Sequence, residues 1–448
     1  MLNVETARAA AQALVERALA AGADAADAMY HGERSSSVSM RLGELEQVNR
    51  SEGEEMGLRL FLGQRSATVA SSDLADEALA ALVERAMAMA AEAPEDPFAG
   101  LAPEPLLHRG DLPPLDADDG HDPDPAVLRA RALAAEQAAL AVPGVTNSTG
   151  GSASASASSV ALATSAGFAG AYRATGYSCS AGVIAGEGAG MQRDHAWHSV
   201  RHLADLDAAE KLGRLAAARA VARLNPARPK PGKLPVLFDP RVAATLLGHF
   251  SGAISGSSVA RKSSFLQDKL GQRVFAPGVS IIDDPRRPRG LRSRPFDGEG
   301  VRVARRELVS DGILQSWIAE SASARQLGID PTGHASRGAG GAPGASPSNL
   351  YIAAGQQSRD ELLAMFPEAL LVTELIGQGV NPVTGDYSRG AAGFMVRGGV
   401  IAEPVAEITI AAHLLDMFAT LIPGADLELR RGVDAPTLLV PEMTVGAA

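Results

Sequence analysis

The sequence predicts an α+β protein: an N-terminal helix/strand domain, a central small-residue β plus helix unit, and a β-rich C-terminal domain. Three observations carry this reading. Ala-rich stretches with helical spacing alternate with runs in which every second residue is apolar or small. Glycine fills 47 of 448 positions, above the usual share of about 7%, which calls for turns and extended chain rather than a helical bundle. Beyond Arg273, DG, GG and NP turn signals recur at short intervals. A chain of this length holds two or three packed units at about 100–200 residues each.

Each element has its own signal. Asn3 to Ala21 reads as a helix, with Leu14 and Ala18 one turn apart and Gly22 as its stop. Ser36–Asn49 and Met56–Ala70 alternate like half-buried strands; Leu58, Leu60 and Leu62 share a face, and Gly63–Gln64 turns a hairpin. Asp73 is placed to cap a helix to about Ala93, striped by Leu74, Ala78, Leu82 and Ala86, with Asp76 and Glu77 in its first turn. This completes an N-terminal domain, 1–93.

Residues 94–125, rich in Pro, Asp and Gly and without periodicity, read as a linker to a central domain, 126–225. That domain opens with a helix from Ala126 to Ala141 and continues as strands between Val145 and Val200. The run SASASASSVALATS has a composition that also suits a flexible linker. Its small residues alternate with Val160 and Leu162, and Tyr172, Tyr177 and Val183 follow, which favours packed antiparallel strands. Asp207 and Glu210 have capping-box spacing at the head of a helix through Leu224.

Three prolines in the linker 226–234, Pro226, Pro229 and Pro231, remove amide donors, so neither helix nor sheet runs through it. The C-terminal domain, 235–448, then begins with a buried strand at Val236–Phe238. Asp239–Pro240 is an N-cap followed by proline at the first helical position, and Val242, Leu246 and Leu247 carry that helix toward Ser251.

Charge and composition exclude several classes of function. With Lys+Arg 41 against Asp+Glu 52 the net charge is −11, the wrong sign for a binder of phosphate backbones. The densest basic stretch, Arg286, Arg287, Arg289 and Arg292, lies among Pro and Gly after Asp283 and Asp284 and reads as a solvated loop. The lone cysteine, Cys179, excludes an internal disulfide or a multi-Cys zinc knuckle and reads as a buried thiol on a strand. No charged-then-apolar leader and no uncharged apolar run near 18 residues is evident, so a cytoplasmic protein with no membrane and no nucleic-acid partner is expected.

Candidate catalytic groups are sparse. His195, His198 and His202 would share one helix face and make a zinc site. Their setting, after a Gly-rich run and with Trp197 and Val200, favours a strand, which sends His195 and His198 to opposite faces. His249 sits on an otherwise apolar helix. The loop Gly338–Gly344 lacks the Lys-Ser/Thr of a phosphate loop, and Ser388 in GDYSRG lies in no GxSxG elbow. The residues alone show no catalytic set.

The blocks TELIGQGVNPVTGDYSRGAAGFMVRGGVIAEPVAEITIAAHLLDMF (373–418), DPRVAATLLGHFSGAISGSSVARKSSFLQDKLG (239–271), RPFDGEGVRVARRELVSDGIL (294–314) and APTLLVPEMTVG (435–446) strongly resemble the PmbA (TldE) branch of the TldD/PmbA family, once described as modulators of DNA gyrase. The resemblance implies a C-terminal domain of the TldD/PmbA type. TldD-type subunits resemble zinc peptidases: an HExxxH helix and a C-terminal cysteine hold a zinc that activates water.

The matching helix here reads Gly248, His249, Phe250, Ser251, Gly252, Ala253, Ile254. With His249 as first ligand, Phe250 replaces the Glu and Ile254 the second His; with Gly248 first, His249 replaces the Glu and Ala253 the second His. Both registers fail, and no cysteine follows Cys179.

The resemblance therefore implies a subunit without catalytic residues or cofactor of its own. It would form a heterodimer with a TldD-type metallopeptidase subunit that carries the zinc, in a complex that cleaves unfolded peptides or processes peptide precursors, and would help admit unfolded peptide, held by strand pairing. A homodimer without the partner stays open. The turn Asn381, Thr384, Gly385, Asp386, Tyr387, Ser388, Arg389 has two readings: a structural β-turn, or a segment whose Tyr387 and Arg389 line the peptide cavity or subunit interface. The alternatives are a stand-alone metallopeptidase using His195, His198 and His202, and a homodimeric peptide-binding or regulatory protein.

Overall fold

The computed structural model describes residues 1–447. Helix α1 (Val4–Ala20) starts where Asn3 accepts a hydrogen bond from the Thr6 amide, and it buries Ala7, Ala11, Leu14, Val15 and Ala18. Strands β1 (Ala25–Arg41) and β2 (Glu44–Leu62) follow, joined by a two-residue turn in which Leu42 and Gly43 have φ of 51° and 82°. The single strand expected over 36–49 is thus cut in two. A leucine at positive φ carries no turn signature, so the hairpin is invisible to residue type. Strand β3 (Arg65–Ser71) pairs with β2 through the expected turn at Gly63–Gln64.

Helix α2 (Asp76–Glu92) begins later than expected: its N-cap is Ala75, and Asp73 instead accepts from the Ala75 amide just ahead of the helix. Helix α3 (Pro125–Leu140) is capped by Asp124. Strands β4 (Val145–Thr164), β5 (Ala169–Ala185) and β6 (Gln192–Val200) come next, then helix α4 (Ala209–Ala222). The capping box expected at Asp207 and Glu210 does not form, because the Asp207 carboxylate is taken by Lys211 and Arg430.

All six strands form one antiparallel sheet, β3-β2-β1-β4-β5-β6, in which β1 pairs with β4 from Asp27↔Thr164 to Met40↔Gly151. The segments read as separate N-terminal and central units therefore share one sheet. The low-complexity run is its middle strand. Ala153, Ala155, Ala161 and Ala163 project to the helix-covered face, and Val160 and Leu162 to the other. Small residues let the helices come close: a Cβ on Gly151 would lie 2.1 Å from the Ala132 carbonyl oxygen.

Residues 94–125 are not a free linker. Leu107 and Leu115 are buried, the His108 amide donates to the Gly300 carbonyl, and Arg325 donates to the Phe98 carbonyl at 2.8 Å. The segment has little regular structure, but it is laced to the C-terminal half. A buried ion cluster adds to that junction. Asp27 accepts from Arg59 Nε at 2.9 Å and lies 2.6 Å from Arg337 Nη1, and Glu299 lies 3.3 Å from Arg59.

In the C-terminal half, β7 (Gly232–Phe238), β8 (Glu368–Ile376), β9 (Asp386–Arg397), β10 (Val400–His413) and β11 (Leu438–Ala447) close into a ring. β7 runs parallel to β8, and β11 pairs with both β10 and β7. Helix α5 (Pro240–Ala253) leaves β7 at the expected cap, where Asp239 accepts from the Arg241 amide at 3.2 Å. Its Val242, Leu246, Phe250 and Ala253 pack into a core with Phe238, Val372, Met395 and Val440.

Candidate functional site

Helix α5 is the element on which a metallopeptidase of the expected type would carry its ligands. Its apolar spacing, set by Val242, Leu246 and Phe250, fixes which way it faces. Phe250 and Ile254 are fully buried and Ala253 nearly so, all in the core. Gly248 and Gly252 lie on the exposed face, where an added Cβ would meet nothing within 4 Å. The positions that matter in either register are thus a core side chain, a buried alanine or no side chain at all. One imidazole remains, that of His249, and the donor set does not fit a zinc ion. Among the described residues, no three His, Cys, Asp or Glu side chains are grouped to hold a metal.

His249 does have a setting. Strand β9 places Tyr387 and Arg389 on the face turned to α5, and the rings of His249 and Tyr387 meet edge to face with centroids 6.0 Å apart. Tyr387 is 1% exposed and Arg389 8% exposed. Three polar atoms here have no hydrogen-bond partner among the described residues: His249 Nε2, the Tyr387 hydroxyl and Arg389 Nε. Among the described residues, no carboxylate lies within ion-pair distance of the Arg389 guanidinium. Burial, then the Arg389 charge, push the His249 pKa below its ordinary value, so the ring is neutral at neutral pH. Burial pushes the Tyr387 hydroxyl well above its ordinary range, which keeps it a donor.

The preceding turn is shaped by its own side chains and held from outside by His413 and the Phe265 amide. Asn381 Oδ1 accepts from the amides of Val383 and Thr384, the Thr384 hydroxyl donates to Asp386 at 2.6 Å, and His413 Nε2 lies 2.7 Å from the Thr384 carbonyl. Asn381 therefore shapes the turn. Ser388 is exposed and gives its amide to the Gly379 carbonyl; a Cβ on Gly379 would sit 1.8 Å from the Ser388 carbonyl oxygen. Chemically, a fixed cation beside a neutral imidazole and a phenol can hold a carboxylate or a carbonyl. It offers no nucleophile.

The histidine triplet is dispersed. His195 and His198 lie on β6, three residues apart and so on opposite faces. His198 Nδ1 accepts from the Asp207 amide, and His202 Nε2 lies 2.9 Å from the Asp116 carbonyl. Cys179 is buried, with its thiol pushed up to about 11 by burial. A hollow that residue-by-residue reading missed lies between β6, α4 and the C-terminal half, with a volume of about 770 Å³ and walls rich in arginine. Its arginines are scattered from Arg193 to Arg431, so no local run marks it.

A sheet-and-helix N-terminal half is joined here to a closed five-stranded β ring. The chain belongs to the PmbA/TldD metallopeptidase family: residues 26–90 match its domain 1, 118–224 its central domain and 231–447 its C-terminal domain. Metalloprotease PmbA of Escherichia coli O157:H7 is 41% identical over 411 residues, covering 91% of this chain and 89% of that protein. Two solved structures share the fold: a candidate modulator of DNA gyrase from Bacteroides thetaiotaomicron (TM-score 0.92, 24% identity, all of both chains) and TldE from Thermococcus kodakarensis (TM-score 0.86, 19% identity, 97% of this chain and 99% of that one).

Proposed function

We propose that this chain is the metal-free partner subunit of a heteromeric zinc metallopeptidase. It would pair with a TldD-type subunit that carries the zinc, help enclose that subunit's active site and take part in admitting unfolded peptides. The supporting observation is the ligand face of α5: His249 is its one metal-binding side chain, and Phe250 and Ile254 are committed to the core. The unpartnered Tyr387 and Arg389 beside it are suited to contact a peptide or the partner at the same place. The setting would be the cytoplasm, in keeping with the absence, among the described residues, of any helix long and apolar enough to cross a membrane.

The test is metal analysis of the purified chain together with cleavage of a casein-type unfolded substrate, measured with and without a TldD-type subunit. Cleavage only in the mixture, with zinc in the other subunit, is the expected result. Stoichiometric zinc and chelator-sensitive cleavage by this chain alone would overturn it. Recovery from the native cell solely as a homodimer would favour a stand-alone peptide-binding role instead.

A further inference from the structure

The hollow between the two halves of the molecule has walls of unlike origin. The edge strand β6 and helix α4 form one side; the start of α5, residues 373–375 and residues 428–431 form the other. Seven basic side chains against four acidic ones line it, an excess of three positive charges in a chain whose net charge is −11. A low-dielectric concavity of one sign concentrates ligands of the other.

The four carboxylates are all engaged. Asp194 is clamped by Arg241 at 2.7 Å and lies 3.5 Å from Arg223, which also bonds Glu374. Asp207 holds Arg430 and Lys211, and Glu428 lies 3.5 Å from Arg430. Arg193, Arg219 and Arg431 make no ion pair among the described residues, though Asp434 and Asp239 act on Arg431, and Asp194 and Asp239 on Arg219, from farther off. Arg219 donates to the His195 carbonyl at 3.1 Å and Arg431 to the Pro240 carbonyl at 3.3 Å, which orients both guanidinium groups without neutralising them. Burial lowers the pKa of each from its ordinary value, but both stay protonated at any physiological pH.

An apolar surface lies beside the charge. The Arg431 guanidinium sits 5.8 Å over the ring of Trp197, which is 42% exposed, and Leu215, 39% exposed, lines the hollow separately, from α4. Guanidinium forks match carboxylates in a bidentate geometry, and an exposed indole suits an apolar side chain.

We propose that this cleft binds an acidic peptide segment, its carboxylates pairing with Arg193, Arg219 and Arg431 while an apolar side chain rests on Trp197. A phosphodiester strand fits less well. Asp207, Glu374 and Glu428 would face its continuous negative charge, and one indole gives no succession of stacking platforms. The inference goes beyond the partner-subunit reading and does not depend on it, since every residue involved belongs to this chain.

The test uses the full chain alone. Trp317 is 5% exposed, so Trp197 is the tryptophan open to iodide quenching. A twelve-residue peptide alternating Glu with Leu and Ala is titrated against its Gln counterpart and against an oligothymidylate. Binding of the Glu peptide with protection of Trp197 from iodide is expected, weakened at least about tenfold by added salt or by Arg219→Gln with Arg431→Gln. Trp197→Ala, at an exposed site and with binding read by isothermal titration calorimetry because the variant lacks the reporter, should weaken binding with the thermal transition unchanged, and serves if the double variant fails to fold. Equal binding of the Glu and Gln peptides, preference for the oligothymidylate, or unaltered affinity in a folded variant would overturn the proposal.

Discussion

Replacing Arg389 with methionine should make the protein more stable. The side chain is 8% exposed, its Nε has no partner, and no carboxylate lies within ion-pair distance among the described residues. Desolvating a charge costs several kcal/mol when nothing compensates it. Residual contact with water reduces that cost here, and the apolar stem is useful packing that methionine largely retains. A gain of about 1–2 kcal/mol remains.

The assay is urea unfolding followed through the buried Trp317, comparing midpoints at unchanged slope. A second readout tests the geometry directly. Burial and then the Arg389 charge depress the His249 pKa, so without that charge it should rise toward the ordinary value, measured by NMR titration of the imidazole. The linkage sign follows: a histidine depressed in the folded state favours unfolding as pH falls below its unfolded value of about 6.5, so the variant should lose less stability there than the wild type. If Arg389 serves an external ligand, cleavage supported by a TldD-type subunit should fall while stability rises. Destabilisation by more than about 1 kcal/mol, or an unmoved His249 titration, would refute the reasoning by showing that native contacts hold the guanidinium elsewhere.

Three further outcomes are expected. Asp27→Ala leaves Arg59 and Arg337 buried without their shared carboxylate and should cost about 3–5 kcal/mol in urea unfolding. Burial works against the Asp27 carboxylate, but the Arg337 and Arg59 charges hold its carboxyl below the ordinary value. This contribution is therefore present above an unfolded pKa near 3.9 and disappears as pH falls through the folded one, to be followed by acid titration of wild type and variant. Gly393→Ala puts a Cβ 1.9 Å from the Leu371 carbonyl oxygen and should lower the thermal midpoint sharply, whereas Gly248→Ala, in open space on a helix, should raise stability by about 0.5–1 kcal/mol. Cys179 should react with a disulfide reagent only as fast as the fold opens, given its burial and a thiol pKa near 11; rapid labelling under native conditions would contradict this.

Local chemistry made some elements readable in advance. Asp239–Pro240 carries both the donor-accepting cap and the preset φ of a helix start, so α5 begins where the residues place it. Alternation in the serine-alanine run was enough to give strands, since small side chains on one face leave room for helices. What stayed hidden depends on distant partners. Asp207 has the spacing of a cap, but Arg430, more than two hundred residues away, draws off its carboxylate. Residues 94–125 look like a tether because the groups that anchor them are remote in sequence, such as Arg325 on the Phe98 carbonyl and Arg289 on Asp116. The isolation of Arg389 is likewise a property of the assembled fold, since sequence shows a charge and never the lack of its partner.

Closure of the C-terminal ring has a kinetic consequence. The strand that completes it, β11, must pair with β7, made some two hundred residues earlier. Until β11 arrives, β7 and β10 each expose an edge with free backbone donors and acceptors, a template for illegitimate pairing. At about 5–20 residues per second that interval lasts roughly ten seconds or more. The N-terminal sheet can form during this wait, because its strands are already out, so the nascent chain carries one finished half and one open half. A chaperone that shields strand edges would have its strongest hold on this protein then, and a ribosome stalled before β11 is made would strand it in that state.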